Sequence, residues 1–469
     1  MDRTDEANLP LVRDDDDDEI NDDSSVTVEI KKTLLERARS HRSLVPLIVF
    51  MALLLDAVLT TCVVPIIPEI LHQNGSDISI GFLLGSKSFF QLISNTVVGP
   101  YTDRFGFNAP MVTGFVLLTS STLFFAFAPD MGRGSRWNTY AALFVARSVE
   151  GVGCSCVTTA GMAMVADRYP DQQERGAVMG KVLGGLALGL LVGYPFGGAF
   201  SAVPGGIEKG WRYPFLIISC LGFIDLLLQL LVLGWSTSTN RRETEPSSML
   251  KLIRDRYIVT ALVALFVSQL AISSSEPILP AWMETHFTKP TPEAWQIGLV
   301  IMSSMLAYII VTLIASRAKL NTRWIVTLFG ISLLFLGTLT LPLTVLPDGG
   351  NLYFIILPLV ILGVGIGMAD STLFPTMGML VDIRHSSEYG AVYGLADIAI
   401  SLSFVIGPIA GSLVNQFFGF GAAIWCVSAL CGLVVPSIWC LRSLRVKEDS
   451  EGNGNVTESI ELQSHEMAT

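Results

Sequence analysis

Long apolar stretches separated by short polar breaks run through most of the chain, from residue 45 to residue 441. An α-helix needs roughly 20 apolar residues to cross the hydrocarbon core of a bilayer, which is about 30 Å thick. The stretches reach about that length, so the pattern predicts twelve membrane-spanning helices. The predicted spans are residues 45–71, 78–101, 110–129, 138–164, 176–203, 213–235, 257–284, 295–316, 323–345, 352–380, 388–416 and 419–441.

The longest internal break, residues 236–256, divides the predicted spans into two groups of six. Two packed helix bundles with a transport path between them have this layout. The predicted fold is therefore an all-α membrane protein with twelve transmembrane helices in two six-helix bundles, residues 44–235 and 257–442. The break itself is predicted to be a cytoplasmic linker.

Both ends of the chain lie outside the predicted spans, and the N-terminal end is strongly acidic. Its acidic block runs from Asp14 to Glu19, and a block of like charges repels itself and buries no apolar surface. We therefore expect residues 1–43 and 443–469 to be disordered cytoplasmic tails. The acidic tail is either a sorting or regulatory segment or only a solubilising one.

Composition argues against a soluble protein. Of the 469 residues, 51% are apolar and only 15% are charged, which is too little charge to cover the surface of a soluble domain of this size. Much of the net charge of −11 comes from the N-terminal tail, so it does not indicate a basic or nucleic-acid partner. All seven cysteines lie in apolar stretches and none forms a C-x-x-C pair. They are predicted to be small core residues, and neither disulfides nor zinc are expected.

Lysine and arginine are unevenly distributed between the two sides of the predicted membrane. With an even number of spans, the segments before the first span and after the last share one side with the basic central break. The opposite side has only five basic residues: Arg133, Arg136, Lys209, Arg212 and Lys289. Cytoplasmic segments carry the excess of basic residues, so both termini are predicted to be cytoplasmic.

Several ionisable residues lie inside the predicted spans. Each costs about 2.5–3.5 kcal/mol at the centre of a spanning helix, so we expect these side chains to face one another or a polar cavity. The set comprises Asp56, Lys87, Arg147, Glu150, Asp225, Glu276, Asp370 and Asp397. A permanent ion pair, such as Lys87 with Asp397, would explain part of the set as packing. The surplus of acids is not explained in that way. Desolvation favours the neutral form of a carboxyl group, which can then exchange a proton near neutral pH or balance a cationic substrate.

The segment between the second and third spans reads Gly99-Pro100-Tyr101-Thr102-Asp103-Arg104-Phe105-Gly106. It resembles the cytoplasmic G-x-x-x-D-R-x-G loop of the major facilitator superfamily. Gly99 and Gly106 would permit a tight turn and a close approach of helices, and Asp103 and Arg104 could latch neighbouring helices. An ordinary polar hairpin is the alternative interpretation of so short a match.

Two further segments resemble motifs of the same superfamily. Residues 147–153, RSVEGVG, resemble its arginine motif, and Gly189-x-x-x-Gly193-Tyr194-Pro195 resembles the glycine-proline motif of its antiporters. Small residues four positions apart let helices touch, and Pro195 opens a backbone hydrogen bond that can act as a hinge. The motif usually has Gly-Pro where this chain has Gly193-Tyr194, which weakens the argument for antiport.

Longer stretches of the spans resemble the vesicular amine transporters, the monoamine and acetylcholine branch of the superfamily. The stretches are LLLDAVLTTCVVPIIPEIL, SKSFFQLISN, ARSVEGVGCSC, ERGAVMGKVLGGLALG, EPILPAW and GMADSTLFPTMGMLVDIRHSSEYGAVYGLADIA. The resemblance covers nearly the whole helical region and omits the tails.

This resemblance implies roles for the charged residues. Asp56 would hold the ammonium group of the substrate, and Lys87 and Asp397 would form an interhelical pair. Glu276 and Asp370 would take part in handling protons and substrate.

It also implies roles for other residues. Arg147 would support the polar network of the N-terminal half. Trp282 and Tyr308 match aromatic positions near a luminal gate and the binding cavity, where rings can contact a cation.

The chain departs from the resembled family around the substrate. Ala57 and Gln269 replace two asparagines, and Ile400 and Phe404 occupy positions where the monoamine branch has a phenylalanine and a tyrosine. Phe404 is still expected to line the binding cavity. The charges that would couple protons are retained while the recognition residues change.

The predicted function is a proton-coupled antiporter that moves a small amine-like organic cation by alternating access. It would act as a monomer in a vesicular, vacuolar or plasma membrane, driven by the proton gradient without a cofactor. A multidrug or secondary-metabolite efflux pump of the same fold is the alternative. A receptor or scaffold has no need for so many intramembrane acids. An enzyme is disfavoured because the sequence contains no nucleophile–base set, metal cluster or phosphate-binding loop.

Overall fold

The computed structural model describes residues 43–71, 77–131, 135–201, 212–233, 249–287, 294–344, 352–385 and 388–443. The predicted tails and most of the predicted linker lie outside the described residues. The boundaries proposed for the two bundles therefore stay predictions.

The described residues are almost entirely helical. Six long helices precede the central break: α1 Leu44–Leu71, α2 Asp77–Phe105, α3 Asn108–Met131, α4 Arg136–Arg168, α5 Gln172–Ser201 and α6 Arg212–Leu233. Seven follow it: α7 Met249–Ile253, α8 Arg256–Ser275, α9 Leu279–His286, α10 Ala294–Ala315, α11 Arg323–Thr340, α12 Ile356–Arg384 and α13 Tyr389–Ile438. Short 3₁₀ turns are Leu320–Thr322, Leu341–Thr344, Leu352–Ile355 and Trp439–Ser443.

Within the described ranges, ten stretches are long and apolar enough to cross a membrane. The last of them contains two helices, because Gly419 has φ 84° and ψ 167° inside α13, a conformation that favours glycine. This break coincides with the predicted boundary between the last two spans. Helix α2 is not among the ten, because polar residues such as Lys87, Gln91 and Asn95 lower its hydropathy, but its 29 residues are long enough to span. With both points counted, the described helices reach the predicted number of twelve.

The predicted seventh span is not one continuous helix. Helix α8 ends at Ser275 and α9 begins at Leu279, with Glu276 in the turn between them. Pro277 follows Glu276 and has no backbone N–H to donate to the preceding turn. The expectation of an uninterrupted helix over residues 257–284 is therefore wrong.

Glycines bring α5 against α1. A Cβ atom built on Gly189 would lie 2.5 Å from the Leu54 carbonyl oxygen and 2.6 Å from the Ala57 Cβ. Gly193, one turn further, approaches Val58 of α1 in the same way. The predicted close approach through small residues four positions apart is therefore present, and it places the middle of α1 firmly.

Contacts between the two parts of the chain involve a few helices. Helix α13 packs against α2 and α4, and α5 packs against α10 and α12. Within the N-terminal part, α6 packs mainly against α3 and α1. One buried acid, Asp397 of α13, lies at the contact with α2 and α4.

The outer surface of the described helices is largely apolar. On α6, for example, Phe223, Ile224 and Leu227 are each about half exposed, as expected for side chains that face lipid. Two of the cysteines predicted to be core residues, Cys220 and Cys426, are exposed instead. A small apolar side chain is as compatible with lipid as with a protein core, so composition alone did not separate the two positions.

Candidate functional site

A buried ion pair joins the middle of α1 to α2. The Lys87 Nζ lies 3.1 Å from Asp56 Oδ1 and 3.2 Å from Oδ2, and both residues are almost fully buried. Lys87 also donates a hydrogen bond to Thr60 Oγ1, one turn beyond Asp56. The Cys154 thiol of α4 is 3.1 Å from Asp56 Oδ2.

A second pair on α4 completes this group. Arg147 Nη1 donates to both carboxylate oxygens of Glu150, each at 2.9 Å, and Lys87 Nζ lies 3.8 Å from Glu150 Oε1. We call Asp56, Thr60, Lys87, Arg147, Glu150 and Cys154 the Asp56 cluster. It contains two acids and two bases, so its charges balance. Through its pair with Glu150, Arg147 lies next to Lys87 in this group; its supporting role stays a prediction.

Asp397 on α13 is held by neutral donors from the other part of the chain. Gln91 Nε2 lies 3.0 Å from each carboxylate oxygen, Asn95 Nδ2 lies 2.6 Å from Oδ2, and Thr158 Oγ1 lies 3.0 Å from Oδ2. Ser155 donates to Asn95 Oδ1 at 2.7 Å and so fixes the orientation of that amide. These five residues form the Asp397 cluster, which connects α13 to α2 and α4.

The expected pair between Lys87 and Asp397 is not formed in this structure. Lys87 turns toward α1 and pairs with Asp56. Gln91 and Asn95 lie on the next two turns of α2 and donate hydrogen bonds to the Asp397 carboxylate. The prediction of this pair is wrong because α2 is rotated so that Lys87 faces α1, while Gln91 and Asn95 face α13.

Asp370 on α12 lies in a third polar group, the Asp370 cluster, with Gln269 of α8 and Tyr308 of α10. Gln269 Nε2 is 3.1 Å from Asp370 Oδ1 and 2.9 Å from Oδ2, and the Tyr308 hydroxyl donates to Oδ2 at 3.0 Å. All three side chains are buried. Gln269, noted in the sequence as a departure from the resembled family, thus contacts the carboxylate directly.

Glu276 does not lie inside a spanning helix. It is exposed in the turn between α8 and α9, so the predicted place within a continuous seventh helix is wrong. Its role in handling protons or substrate stays a prediction.

The remaining aromatic candidates lie apart from the three acid clusters. Trp282 on α9 is buried and stacks on Phe420, with ring centroids 4.2 Å apart and an interplanar angle of 15°. Phe420 directly follows the break at Gly419, so Trp282 packs where the second part of α13 begins. Phe404 is half-buried on α13, about two turns beyond Asp397.

The predicted latch at the end of α2 is made by Asp103. Its carboxylate accepts hydrogen bonds from the backbone N–H groups of Gly390 and Ala391, both at 2.7 Å. These residues begin α13, and a helix N-terminus favours a negative charge. Gly99, one turn earlier, packs against Gly390 so closely that a Cβ atom there would lie 2.9 Å from the Gly390 carbonyl oxygen.

The other two residues of the motif have different positions. Gly106 has φ 89° and ends α2, a left-handed conformation that glycine adopts without strain. Arg104 is exposed, with its guanidinium 5.2 Å from the Phe105 ring centroid. The interhelical hydrogen bonds described for this motif therefore come from Asp103.

A second link closes the same end of the molecule. Arg175 of α5 is buried, and its Nη1 lies 2.6 Å from Asp382 Oδ2 on α12. Asp382 also accepts hydrogen bonds from Gln172 at 2.8 Å and from the Tyr389 hydroxyl. Arg323 of α11 donates to the Gln172 carbonyl oxygen. Together with Asp103, these contacts join α2 and α5 to α11, α12 and α13.

Asp255 caps the N-terminus of α8 at this end. Its carboxylate accepts from the Tyr257 N–H at 3.0 Å and contacts Arg384 at 2.6 Å and His385 at 3.0 Å. Burial acts to raise the pKa of Asp255, but the hydrogen bonds from Tyr257 and His385 and the charge of Arg384 outweigh it. The pKa is therefore lowered from its ordinary value.

Sequence reasoning found the acids and missed most of their partners. A usable signal existed on α2, where Lys87, Gln91 and Asn95 recur every four residues in an otherwise apolar span. That spacing puts the three side chains on one face of the helix. Arg175 lay within a stretch that carried the family resemblance but was not singled out.

The comparisons with known proteins agree with this architecture. The sequence profile of the Major Facilitator Superfamily matches residues 49–377 and again residues 261–462. The human organic anion transporter MFSD10 superimposes with a TM-score of 0.69 at 18% identity, over 85% of this chain and 99% of that one. The proton:xylose symporter XylE gives a TM-score of 0.68 at 15% identity, over 86% and 96%. At these identities the two structures show the fold.

Sequence relatives cover most of the chain. The chromaffin granule amine transporter of Rattus norvegicus is 33% identical, over 90% of this chain and 92% of its own length. The synaptic vesicular amine transporter of Bos taurus is 36% identical, over 81% and 69%. The vesicular acetylcholine transporter of Drosophila melanogaster is 29% identical, over 91% and 77%. This chain is therefore a multi-pass integral membrane protein that belongs to the Major Facilitator Superfamily and is related to the vesicular amine and acetylcholine transporters.

Proposed function

We propose that the protein is a proton-coupled antiporter that exchanges protons for a small organic cation. The observation that carries this proposal is the environment of Asp370 and Asp397. Both are buried in spanning helices, and among the described residues each accepts hydrogen bonds from neutral donors and pairs with no base. Asp56 differs, because Lys87 balances its charge.

A buried carboxylate without a base is expensive to keep ionised. The desolvation penalty is several kcal/mol per ion, and hydrogen bonds from amides and hydroxyls offset only part of it. A proton removes the charge, and a cationic substrate balances it. The two ligands therefore compete for the same acids, which is the requirement for exchange.

Alternating access needs contacts that break and re-form between the two parts of the chain. The links through Asp103 and Arg175 close one end of the molecule, which the distribution of basic residues predicts to be cytoplasmic. Opening that end requires these links to separate. We infer that this arrangement has its opposite face open to the vesicle lumen, where an acidic interior would supply protons. The names of the vesicular relatives support a vesicle membrane as the location.

The driving force is adequate for concentrative transport. A proton gradient supplies about 1.4 kcal/mol per pH unit for each proton, and the membrane potential supplies about 2.3 kcal/mol per charge per 100 mV. Two protons exchanged for one cation would therefore support a concentration ratio of several powers of ten.

Uptake into proteoliposomes with an acidic interior tests the proposal. The probes are radiolabelled primary and quaternary amines, together with an organic anion of similar size. We expect accumulation of at least one amine, no accumulation of the anion, and collapse of the gradient when a protonophore is added. Asp370→Asn and Asp397→Asn should abolish accumulation.

Asp130→Asn is the matched control. Asp130 is half exposed at the end of α3, so this substitution removes a carboxylate away from the three acid clusters. Amine accumulation that persists with a protonophore would contradict proton coupling. Accumulation of the anion alone would contradict the substrate class.

A further inference from the structure

Asp225, in the middle of α6, is a buried carboxyl group that the proposed exchange does not use. Its side chain is 3% exposed, and neither of its oxygens has a hydrogen-bond partner among the described residues. One turn further along α6, Gln229 is completely buried, and its amide nitrogen and oxygen also lack partners. Both residues lie on the face of α6 that packs against α3 and α1.

The other buried acids of the spans are satisfied. Asp56 has Lys87, and Asp370 and Asp397 accept hydrogen bonds from several donors. A carboxyl group retained only for packing is normally satisfied by a neighbour, as more than nine in ten buried polar groups are. Packing with the described residues alone therefore does not explain a carboxyl group at this position.

A small cavity lies beside Asp56 and reaches α6 at Ile218 and Gly222, so it ends one helical turn short of Asp225. It has a volume of about 20 Å³ and lies between α1, α3 and α6, and this is enough room for one water molecule. Asp56, Thr119 and Gly222 are among its lining residues. The Thr119 hydroxyl is a further buried polar group without a partner, and Gly222 lies one helical turn from Asp225. The polar lining residues, Asp56 of α1 and Thr119 and Thr122 of α3, thus lie across the cavity from the face of α6 that carries Asp225.

Among the described residues, the helices that pack against this face of α6 present no base to an ionised Asp225. Helix α3 contains no ionisable residue between Asn108 and Pro129. The ionisable residue of α1 that faces the cavity is Asp56, an acid already paired with Lys87. Helix α5, which touches α6 slightly, has its ionisable residues within its first ten positions.

We propose that Asp225 is an additional proton-binding residue of the N-terminal part, one helical turn from the cavity beside Asp56, and that its proton is exchanged in each transport cycle. The proton is taken from water on the acidic side and released to water on the other side, so the carboxyl group returns to its starting state. This inference rests on the proposed proton coupling.

The test is the steady-state accumulation ratio of a transported amine in proteoliposomes. The membrane potential is clamped at zero with potassium and valinomycin, and the interior is held about 1.5 pH units more acidic. Each exchanged proton contributes a factor of ten per pH unit, so losing one proton lowers the ratio by about 30-fold. We expect this loss in Asp225→Asn. Asp225→Glu, which keeps the carboxyl group, and Asp130→Asn, at the exposed end of the same helix pair, should keep the ratio of the unmodified protein.

The steady-state ratio separates proton coupling from a structural role. A variant that is only less stable or slower reaches the same ratio later, so an unchanged ratio in Asp225→Asn would overturn the inference. If the unmodified protein shows no accumulation driven by the pH gradient, the proposed function fails instead.

Infrared spectroscopy provides a measurement that needs no transport. A carbonyl band of a protonated carboxylic acid should be present at neutral pH and should change frequency in Asp225→Glu. A carbonyl band that is the same in the unmodified protein and in Asp225→Glu would also overturn the inference, even if Asp225→Asn does not fold.

Discussion

The ion pair between Lys87 and Asp56 permits a quantitative test, because the sequence suggested Asp397 as the partner of Lys87. The change to study is Lys87→Met, alone and combined with Asp56→Asn or with Asp397→Asn. Methionine keeps most of the volume of the lysine side chain and removes its charge. We expect Lys87 to be energetically coupled to Asp56 and not to Asp397.

The magnitude follows from the geometry of the pair. Lys87 and Asp56 are at 3.1–3.2 Å, with side chains 8% and 5% exposed. Removing Lys87 alone leaves Asp56 as an uncompensated buried charge, which costs about 3–5 kcal/mol. In the Asp56→Asn background that charge is absent, so most of this cost should disappear. We expect a coupling free energy of about 2–3 kcal/mol for Lys87 with Asp56.

For Lys87 with Asp397 we expect less than about 0.5 kcal/mol, because their hydrogen bonds go to different residues. The assay is reversible unfolding in mixed detergent micelles, followed by tryptophan fluorescence, for each single and double variant. A coupling of Lys87 with Asp397 as large as that with Asp56 would refute the arrangement described here.

Three further predictions use the same unfolding assay. Gly189→Val should lower the free energy of unfolding by about 1–3 kcal/mol, because its Cβ meets the Leu54 carbonyl. The control Gly298→Ala has open space around the new Cβ and should change the free energy of unfolding by less than about 0.5 kcal/mol. Equal effects of the two variants would contradict the packing of α5 on α1. Asp255, whose pKa is lowered by folding, stabilises the protein above its unfolded pKa of about 3.9 and loses that contribution as pH falls through the folded value. Below about pH 5, the difference in unfolding free energy between the unmodified protein and Asp255→Asn should therefore shrink toward zero as the carboxylate is protonated. A difference that grows below about pH 5 would contradict the lowered pKa. Asp103→Asn should cost about 1.5–3 kcal/mol by weakening charge-assisted bonds to α13, and a cost no greater than that of an exposed Asp→Asn change would argue against the latch.

The sequence was sufficient to predict which residues are buried and polar. A charged side chain within an apolar span has no favourable outward direction, so Asp56, Lys87, Asp370 and Asp397 had to face the protein. All four residues are buried. The break at Gly419 was predictable for a similar reason, because a boundary was needed to keep the last two spans at membrane length.

The partners of these residues were not predictable in the same way. Lys87 has a long side chain and lies on a helix that touches several neighbours, so the rotation of α2 decides whether it meets Asp56 or Asp397. Helix rotation depends on packing over the whole interface, which no short motif encodes. Glu276 was misplaced for another reason: the signal from Pro277 was present, but the apolar run around it had the length of one span.

The hydrogen-bond donors to Asp397 and to Asp370 come from different parts of the chain. The donors to Asp397 come from α2 and α4, before the central break, whereas those to Asp370 come from α8 and α10, after it. Hydrogen bonds to a charged group are worth about 1.5–3 kcal/mol each, so neutralising Asp397 weakens the contact of α13 with α2 and α4 by several kcal/mol. That is comparable to the few kcal/mol that separate two conformations of a protein. Neutralising Asp370 changes only contacts within the C-terminal part. We therefore infer that a proton on Asp397 biases the opening of the transporter, and that Asp370 contributes to the choice between proton and cation without moving the two parts.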